Sequence, residues 1–229
     1  MNAMDSMPLM PSMPSMPSVP SVAFPADAAL PAEVTLPGSV TVPASLVPYL
    51  LLIGLVVVER LAELVTARRH TAWSLARGGR EYGRGHYPAM VALHTALLVG
   101  CVVEPWAAGR PFVPLLGWSA LGVVVAAQAL RWWCIAALGR RWNTRVLVVP
   151  GLPLVEAGPY RLLRHPNYVA VVAEGVALPL VHTAWLTALG FTVLNLLLLR
   201  VRIGCEDAAL TDGGRLRAPA SVPSAGAAP

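Results

Sequence analysis

Five apolar segments, separated by short arginine-bearing loops, constrain the fold of this chain more than any other feature. The segments cover about residues 47–65, 88–103, 113–138, 168–181 and 185–203. A helix needs ~20 apolar residues to cross a bilayer, and the first, third and fifth segments approach that length. A short turn after Pro179 joins the last two, which predicts a helical hairpin. The sequence therefore predicts an all-α, polytopic integral membrane protein with about five transmembrane helices.

Composition favours a membrane protein over a soluble one. Hydrophobic residues make up 56% of the 229 residues and charged residues only 13%, whereas soluble domains average about 25% charged. All seventeen basic residues are arginine, and they lie between apolar runs rather than on one exposed face. That placement argues against nucleic acid as a partner and makes the bilayer the expected one. The three scattered cysteines have no spacing typical of disulfide frameworks or zinc sites, so no metal site is predicted.

The two ends of the chain differ in composition from the apolar centre. Residues 1–45 carry a proline at every third position between Pro8 and Pro20, a pattern that favours polyproline II over helix or sheet. We expect this segment to be disordered and the membrane domain to cover 46–212. The Gly-, Pro- and Ala-rich tail 213–229 should also be disordered.

The distribution of arginine predicts the orientation of the chain in the membrane. Arginines concentrate between the first and second segments, between the third and fourth, and after the fifth, whereas the second-to-third connection holds only Arg110. Cytoplasmic loops carry an excess of basic residues, so the arginine-rich loops should face the cytoplasm. We expect a bacterial cell-membrane protein whose site faces the cytoplasm.

Ionisable residues inside the apolar segments are candidates for contacts with substrate, because an unpaired charge there is costly. His94 lies about two turns into the second segment, and Glu174 lies about two turns into the fourth. The structural alternative for His94 is a hydrogen bond between helices. For Glu174 it is an ion pair with Arg164, His165 or a basic residue of the fifth segment.

Other charged residues lie near segment ends. Glu59, Arg60 and Glu63 lie near the end of the first segment, and Arg131 lies near the end of the third. Such side chains can extend along the helix to the interface and need have no other role. For the three residues of the first segment, the functional alternative is a polar lining that orders the following loop over a site. In the fifth segment Arg202 lies four residues before Glu206, so the two share one face of a helix. An arginine that holds an anionic substrate is the hypothesis for Arg202.

A compound motif brackets the predicted hairpin. Residues 158–168 read G-P-Y-R-L-L-R-H-P-N-Y directly before the fourth segment, and residues 202–210 read R-I-G-C-E-D-A-A-L at the end of the fifth. The combination G-x-Y-x-x-x-R-H-P-x-Y, apolar hairpin and R-I-x-x-E-[ED]-x-x-L resembles the isoprenylcysteine carboxyl methyltransferase family, over roughly residues 128–210. Residues 59–64 and 86–88 resemble a bacterial branch of that family associated with lipidic polyketides.

The resemblance implies a membrane methyltransferase that uses S-adenosyl-L-methionine without a Rossmann sheet, and no G-x-G-x-x-G follows a predicted strand. Carried over position by position, it places the following residues at the cofactor: Arg145, Leu152, Pro153, Leu154, Val155, Tyr160, His165, Pro166, Asn167, Tyr168 and Glu206. Arg202 matches the family arginine that orients the anionic oxygen of the substrate.

The resemblance leaves the methyl acceptor open among lipophilic compounds. A prenylcysteine carboxylate would need no base, whereas a phenol, quinol or pyrone hydroxyl of a lipidic polyketide would need one. His94, His165 and Glu174 are the candidate bases. Ala170 stands where many members have glycine, and the tail lacks the aromatic residues of the eukaryotic enzymes, which weakens the case for prenylated protein.

Two other functions stay open. A membrane reductase of the sterol type shares an R-H-P-N-Y run and uses NADPH. A non-catalytic membrane protein would use its arginines for topology alone, although that leaves Glu174, Arg202 and Glu206 unexplained. The sequence does not predict an oligomeric state.

Overall fold

The structure, a computed structural model, describes residues 33–36 and 40–215, and its main body is a bundle of five α-helices. The helices are α1 (Leu46–Leu75), α2 (Tyr87–Ala107), α3 (Pro114–Leu138), α4 (Pro166–Leu180) and α5 (Trp185–Arg215). The predicted all-α class is confirmed, with one helix for each apolar segment.

Within the described residues, three helical stretches are long and apolar enough to cross a bilayer. They are Arg84–Ala107, Pro114–Arg141 and Trp185–Thr211. The other two helices differ in kind from these: α1 carries Glu59, Arg60 and Glu63 in its middle, and α4 has only 15 residues. Length and composition therefore support three of the about five predicted transmembrane helices.

Helices α1 and α5 are longer than the apolar segments that predicted them. The sequence bounded these segments at Val65 and Ile203, whereas the helices continue to Leu75 and Arg215. Polar residues replace apolar ones beyond those bounds, but no helix breaker interrupts α1 before Gly78, whose φ is +74°. At 1.5 Å per residue, each helix projects roughly 15 Å beyond its apolar run.

A short strand pair precedes α1, so residues 33–36 and 40–43 differ from the disorder predicted for the segment 1–45. β1 (Glu33–Leu36) pairs antiparallel with β2 (Val40–Pro43). The β-branched residues of both strands favour this conformation over the disorder inferred from composition. The proline repeat lies outside the described residues, as does the tail beyond residue 215.

A second strand pair ties together the two arginine-rich loops. β3 (Arg80–Tyr82) follows α1, and β4 (Val146–Val148) follows α3; they pair antiparallel. The Glu81 carboxylate accepts hydrogen bonds from Arg145 (3.0 Å) and Arg84 (3.1 Å). The pairing holds the loop after α3 against the last turns of α5.

Helix α4 lies at the centre of the bundle and packs against both α3 and α5. The predicted α4–α5 hairpin is confirmed, with a turn over residues 181–184. In that turn Thr183 has a positive φ of 54°, and its hydroxyl donates to the carbonyl of Pro111 (2.6 Å). On α4, Gly175 lies so close to the Phe191 ring of α5 that no Cβ would fit.

Candidate cofactor and acceptor site

A cavity of about 380 Å³ lies where β4, the following loop and the start of α4 meet α5. Its volume is within the range of small-molecule sites. Ten of the eleven predicted cofactor residues line it: Arg145, Leu152, Pro153, Leu154, Val155, Tyr160, His165, Asn167, Tyr168 and Glu206. Arg202 lies in the same wall. The eleventh, Pro166, is fully buried as the first residue of α4 and does not belong to the wall.

A glycine turn delivers the first aromatic residue of the motif to this cavity. Gly158 has a φ of +57°, and a Cβ added there would lie 3.0 Å from Nε1 of Trp133 and 3.1 Å from Cβ of Ala137. Helix α3 therefore packs directly on the backbone at this turn. The 3₁₀ turn Gly158–Arg161 then places Tyr160 in the wall. Burial raises the pKa of the Tyr160 phenol above its usual value, so the hydroxyl stays protonated and can donate.

Tyr168 is the centre of the polar wall. Its hydroxyl donates to Oε2 of Glu206 (2.5 Å) and accepts a hydrogen bond from Nε of Arg202 (2.9 Å). The His165 ring stacks on the Tyr168 ring, with ring centres 5.3 Å apart and planes 14° apart. Nδ1 of His165 lies 3.8 Å from Oε2 of Glu206. Tyr168 thus bridges Arg202 and Glu206, which lie one turn apart on α5.

The Arg202 guanidinium is held on two further sides. Nη1 donates to the carbonyl of Thr144 (2.8 Å) and contacts Sδ of Met90 (3.3 Å). Only 6% of the residue is exposed. Nη2 has no hydrogen-bond partner in the part of the chain that the structure describes, so it is the nitrogen left to bind a ligand. Met90 and Thr144 could not be predicted from the sequence, because one contributes a thioether and the other a backbone carbonyl.

Other arginines shape the rim of the cavity. Nη1 of Arg141 donates to the carbonyl of Pro153 (2.5 Å), which fixes the loop that carries four of the predicted cofactor residues. Arg145 pairs with Glu81, and its guanidinium lies 4.8 Å above the Tyr87 ring. The predicted cofactor contact of Arg145 therefore lies at the edge of the cavity.

The chemistry of the wall fits S-adenosylmethionine. Oδ1 of Asn167 is buried and accepts no hydrogen bond from the described residues. An N–H or O–H group of a bound ligand would satisfy it. The cofactor carries amino and hydroxyl donors as well as a sulfonium. A carboxylate at Glu206 and the aromatic faces of Tyr160 and Tyr168 favour such a positive charge.

The two predicted substrate residues line a different, smaller cavity of about 30 Å³. That volume is close to one water molecule and too small for a substrate. Glu174 lies six residues after Tyr168 on α4, about 9 Å further along the helix. His94 reaches the same cavity from α2.

The expected partner of Glu174 was wrong. Its Oε2 accepts from Nη2 of Arg131 (2.5 Å), and its Oε1 accepts from Nη2 of Arg60 (3.2 Å). These arginines come from α3 and α1, not from the 164–165 cluster or α5, because α4 presents this face to those two helices. Glu174 thus forms the buried ion pair that was one of its two predicted roles, and its role at the substrate stays a prediction.

The arginines of this pair also correct the prediction that they extend to the interface. Arg131 is 7% exposed, and Nη1 of Arg60 donates to Oε2 of Glu63 (2.6 Å). Nη2 of Arg60 also donates to Gln128 (2.8 Å). The network links α1, α3 and α4 inside the bundle.

Among the described residues, His94 does not make the hydrogen bond between helices that the sequence offered as its structural alternative. Its Nδ1 donates to the carbonyl of Met90 one turn earlier (2.8 Å), and its ring meets Phe191 of α5 edge to face, 5.2 Å between centres. The first contact fixes the orientation of the ring on α2. The second packs α2 against α5.

The helical bundle, with three stretches apolar enough to cross a bilayer, is that of an integral membrane protein, and the polar cavity at the start of α4 is its candidate ligand site. Residues 120–212 match the isoprenylcysteine carboxyl methyltransferase (ICMT) family. An uncharacterised protein of Bacillus subtilis (strain 168), YpbQ, is 36% identical over 163 residues, which is 71% of this chain and 96% of that protein. The chain belongs to the ICMT family, a family of membrane methyltransferases.

A more distant relative extends the comparison. An uncharacterised protein of Haemophilus influenzae (strain ATCC 51907 / DSM 11121 / KW20 / Rd) is 25% identical over 159 residues, or 68% of this chain and 91% of that protein. No solved structure matches this chain. The family match covers the whole of the 158–168 motif, α4, and α5 as far as residue 212.

Proposed function

We propose that this protein transfers a methyl group from S-adenosylmethionine to an oxygen atom of a lipophilic acceptor. The observation that supports this most is the convergence of Tyr160, His165, Tyr168 and Glu206 on one cavity beside Arg202. These residues come from both halves of the compound motif. Membership of the ICMT family supplies the reaction type.

The residues of the wall divide into three kinds of cofactor contact. Oδ1 of Asn167 would accept a hydrogen bond, and the loop 152–155 would provide an apolar surface. Glu206 and the ring of Tyr168 would stabilise the positive charge. When bound, the cofactor supplies an electrophilic methyl group.

The protein would contribute mainly alignment and the exclusion of water. Arg202 would position the acceptor oxygen through Nη2, the nitrogen without a partner in its hydrogen-bonding pattern. Orientation of this kind supplies roughly 7–11 kcal/mol in model reactions. Both carboxylates and ionised hydroxyls are acceptors that an arginine can hold.

The proposed site lies at the cytoplasmic face of the cell membrane. It is built largely by the loop after α3, which β4 joins to β3 in the loop after α1. These two loops carry most of the arginines outside the helices. A polar cofactor would enter from the cytoplasm, and a lipid acceptor would arrive laterally between helices. The exposed apolar side chains of Leu152 and Leu154 at the cavity fit contact with an apolar chain.

Isothermal titration calorimetry on the detergent-purified full chain tests the proposal. We expect binding of S-adenosylmethionine and S-adenosylhomocysteine but not of NADPH, the cofactor of sterol-type reductases. Glu206→Ala should weaken S-adenosylmethionine binding at least tenfold. Asp207→Ala removes the neighbouring acid, whose side chain pairs within the described residues only with the exposed Arg164, and should leave the affinity unchanged.

The remaining outcomes favour the other functions. Binding of NADPH alone would indicate a reductase. Absence of binding by all three compounds would indicate a non-catalytic membrane protein, and full affinity in Glu206→Ala would refute the location of the site.

A further inference from the structure

We propose that the acceptor is a phenolic or enolic hydroxyl, and that Tyr168 passes its proton to Glu206. The inference rests on the proposed function and assigns a substrate class and a base to the same site. Two observations carry it: the donors that Arg202 has left, and the hydrogen bonds of Tyr168.

The hydrogen bonds of Arg202 disfavour a carboxylate. A guanidinium has five N–H donors, and it binds a carboxylate best through two parallel N–H groups on one edge. Each such edge includes Nε or Nη1. Nε donates to Tyr168, and Nη1 already contacts the Thr144 carbonyl and the Met90 sulfur. Nη2 remains, which suits an acceptor that presents one oxygen atom.

The hydrogen bonds of Tyr168 provide a path for a proton. A phenolic oxygen has one O–H and two lone pairs. The O–H donates to Glu206 and one lone pair accepts from Arg202, which leaves one lone pair in a side chain that lines the cavity. An acceptor hydroxyl can donate to that lone pair. As its proton moves to Tyr168, the proton of Tyr168 moves to Glu206, and Tyr168 ends neutral.

The electron balance of the step follows from this transfer. The acceptor oxygen keeps the electron pair of its broken O–H bond as negative charge next to Nη2 of Arg202. One of its electron pairs forms the new C–O bond to the methyl group, while the pair of the C–S bond goes to sulfur and gives a neutral thioether. The proton on Glu206 then leaves to solvent, since about a third of that side chain is exposed.

The other candidate bases are less well placed. Both oxygens of Glu174 are occupied by Arg60 and Arg131 in the small cavity, and His94 lies in that cavity as well. The His165 ring stacks on the Tyr168 ring, and its Nδ1 lies 3.8 Å from Oε2 of Glu206. His165 therefore contacts the two relay residues and is not itself a member of the proton path. A carboxylate acceptor, ionised at neutral pH, would have no proton for this relay to accept.

Three acceptors with the same alkyl chain test the substrate class: a long-chain alkylphenol, its nitro-substituted counterpart, and a long-chain fatty acid. The ordinary phenol has a pKa of about 10 and is protonated at neutral pH. A nitro group delocalises the phenolate charge and lowers the pKa, so at a mildly alkaline assay pH the nitrophenol is largely ionised while the ordinary phenol stays protonated. With saturating S-adenosylmethionine, we expect methylation of both phenols and at least 100-fold slower methylation of the fatty acid. Preference for the fatty acid would overturn the proposed substrate class.

Tyr168→Phe tests the relay, because it keeps the stacking ring and removes the hydroxyl. General-base catalysis typically contributes 10²–10⁴-fold. We expect the kcat for the alkylphenol to fall at least 100-fold and that for the nitrophenol to fall less than about fivefold. Glu206→Gln should show the same selectivity at saturating cofactor. Equal losses with both phenols in both variants would mean that these residues act structurally, and would overturn the relay.

Two measurements separate this inference from the proposed function. Absorbance titration of the nitrophenol bound to cofactor-free protein should give a pKa at least one unit lower than in detergent alone, and Arg202→Met should abolish that difference. An unchanged pKa in the wild-type protein would contradict the role of Arg202. Calorimetry reports S-adenosylmethionine binding independently of methyl transfer. Tight binding together with equal losses of kcat for the two phenols would overturn the relay alone. Absence of binding by the wild-type protein would overturn the proposed function.

Discussion

Two clusters of polar side chains share α4, and they differ in how their hydrogen-bonding groups are satisfied. At the start of α4, Arg202 keeps Nη2 for a ligand and Asn167 keeps an unpartnered Oδ1. Two turns further on, both oxygens of Glu174 are held by Arg60 and Arg131. Groups that still have an unused hydrogen-bond donor or acceptor can bind a ligand, whereas charges that are paired with one another hold helices together.

The paired cluster predicts a large effect of removing its acid. Glu174→Ala leaves Arg60 and Arg131 buried without their shared partner, and breaking a buried pair in this way typically costs about 3–5 kcal/mol. We expect a lower free energy of unfolding by about 3 kcal/mol, since Glu63 still contacts Arg60. Chemical unfolding in detergent, followed by tryptophan fluorescence, measures it.

An exposed ion pair provides the control for this variant. Asp207→Ala removes the contact with Arg164, which is 83% exposed at its side chain, so the free energy of unfolding should change by less than about 1 kcal/mol. Comparable losses for Glu174→Ala and Asp207→Ala would contradict a special role of the buried network.

Sequence reasoning found the residues of both clusters but not the partners inside the deeper one. The cost of charge in an apolar segment marked Glu174, and the compound motif marked Tyr168 and Glu206. The partners of Glu174 depend on which helices face α4, and no local pattern encodes that. Arg60 and Arg131 lie near the ends of apolar segments, so extension to the interface was the simpler prediction from sequence.

At the scale of elements, short structures outside the helices build most of the cavity wall. β4 and the loop after it supply residues 146–155, and the 3₁₀ turn Gly158–Arg161 supplies Tyr160. A three-residue strand has no hydrophobic periodicity to detect, which is why the pairing of β3 with β4 was not predicted. The helices were predictable because apolar runs of more than a dozen residues determine them.

Close packing of the α4–α5 hairpin predicts that Gly175 does not accept a side chain. A Cβ there would overlap the Phe191 ring, and overpacking a core costs about 1–3 kcal/mol. We expect Gly175→Ala to lower the free energy of unfolding by that amount, measured in the same unfolding experiment. The loss should exceed the gain in helix propensity, about 1 kcal/mol, that replacing glycine brings.

A second helical glycine gives the matched control. Beyond its own stretch of α3, none of the described residues has an atom within 4 Å of a Cβ added to Gly122, so Gly122→Ala should be neutral or stabilising by up to about 1 kcal/mol. A stabilised Gly175→Ala protein would show that the hairpin is packed less tightly than described. Destabilisation of both variants to the same extent would point to a general effect of alanine in this bundle.

At the scale of the whole molecule, the two ends of the bundle differ in charge. The β3–β4 pair, the 158–168 motif and the cavity lie at the end that carries the arginine-rich loops. The opposite end holds the α4–α5 turn, where Thr183 meets Pro111. This division was predictable from the placement of arginine alone, because successive helices alternate in direction and charge accumulates in alternate loops. The full lengths of α1 and α5 could not be predicted from the sequence, because polar helical turns beyond an apolar run give no hydropathy signal.

The charge difference predicts the orientation of the chain, which single cysteines can test. Cys101 and Cys134 are fully buried, so Cys205→Ser gives a background with low reactivity toward a thiol reagent. Arg161→Cys then places an exposed thiol beside the cavity, and Ala108→Cys places one at the opposite end.

A membrane-impermeant maleimide distinguishes the two ends in sealed membrane vesicles. Because basic loops are retained in the cytoplasm, position 161 should react in inverted vesicles and position 108 in right-side-out vesicles. Both positions should react after the vesicles are opened with detergent. The reverse pattern would place the cavity outside the cell, away from the cytoplasmic supply of cofactor. Since the cofactor cannot cross the bilayer on its own charge, that result would remove methyl transfer from the reactions this cavity can support, whatever its affinity for the cofactor in detergent.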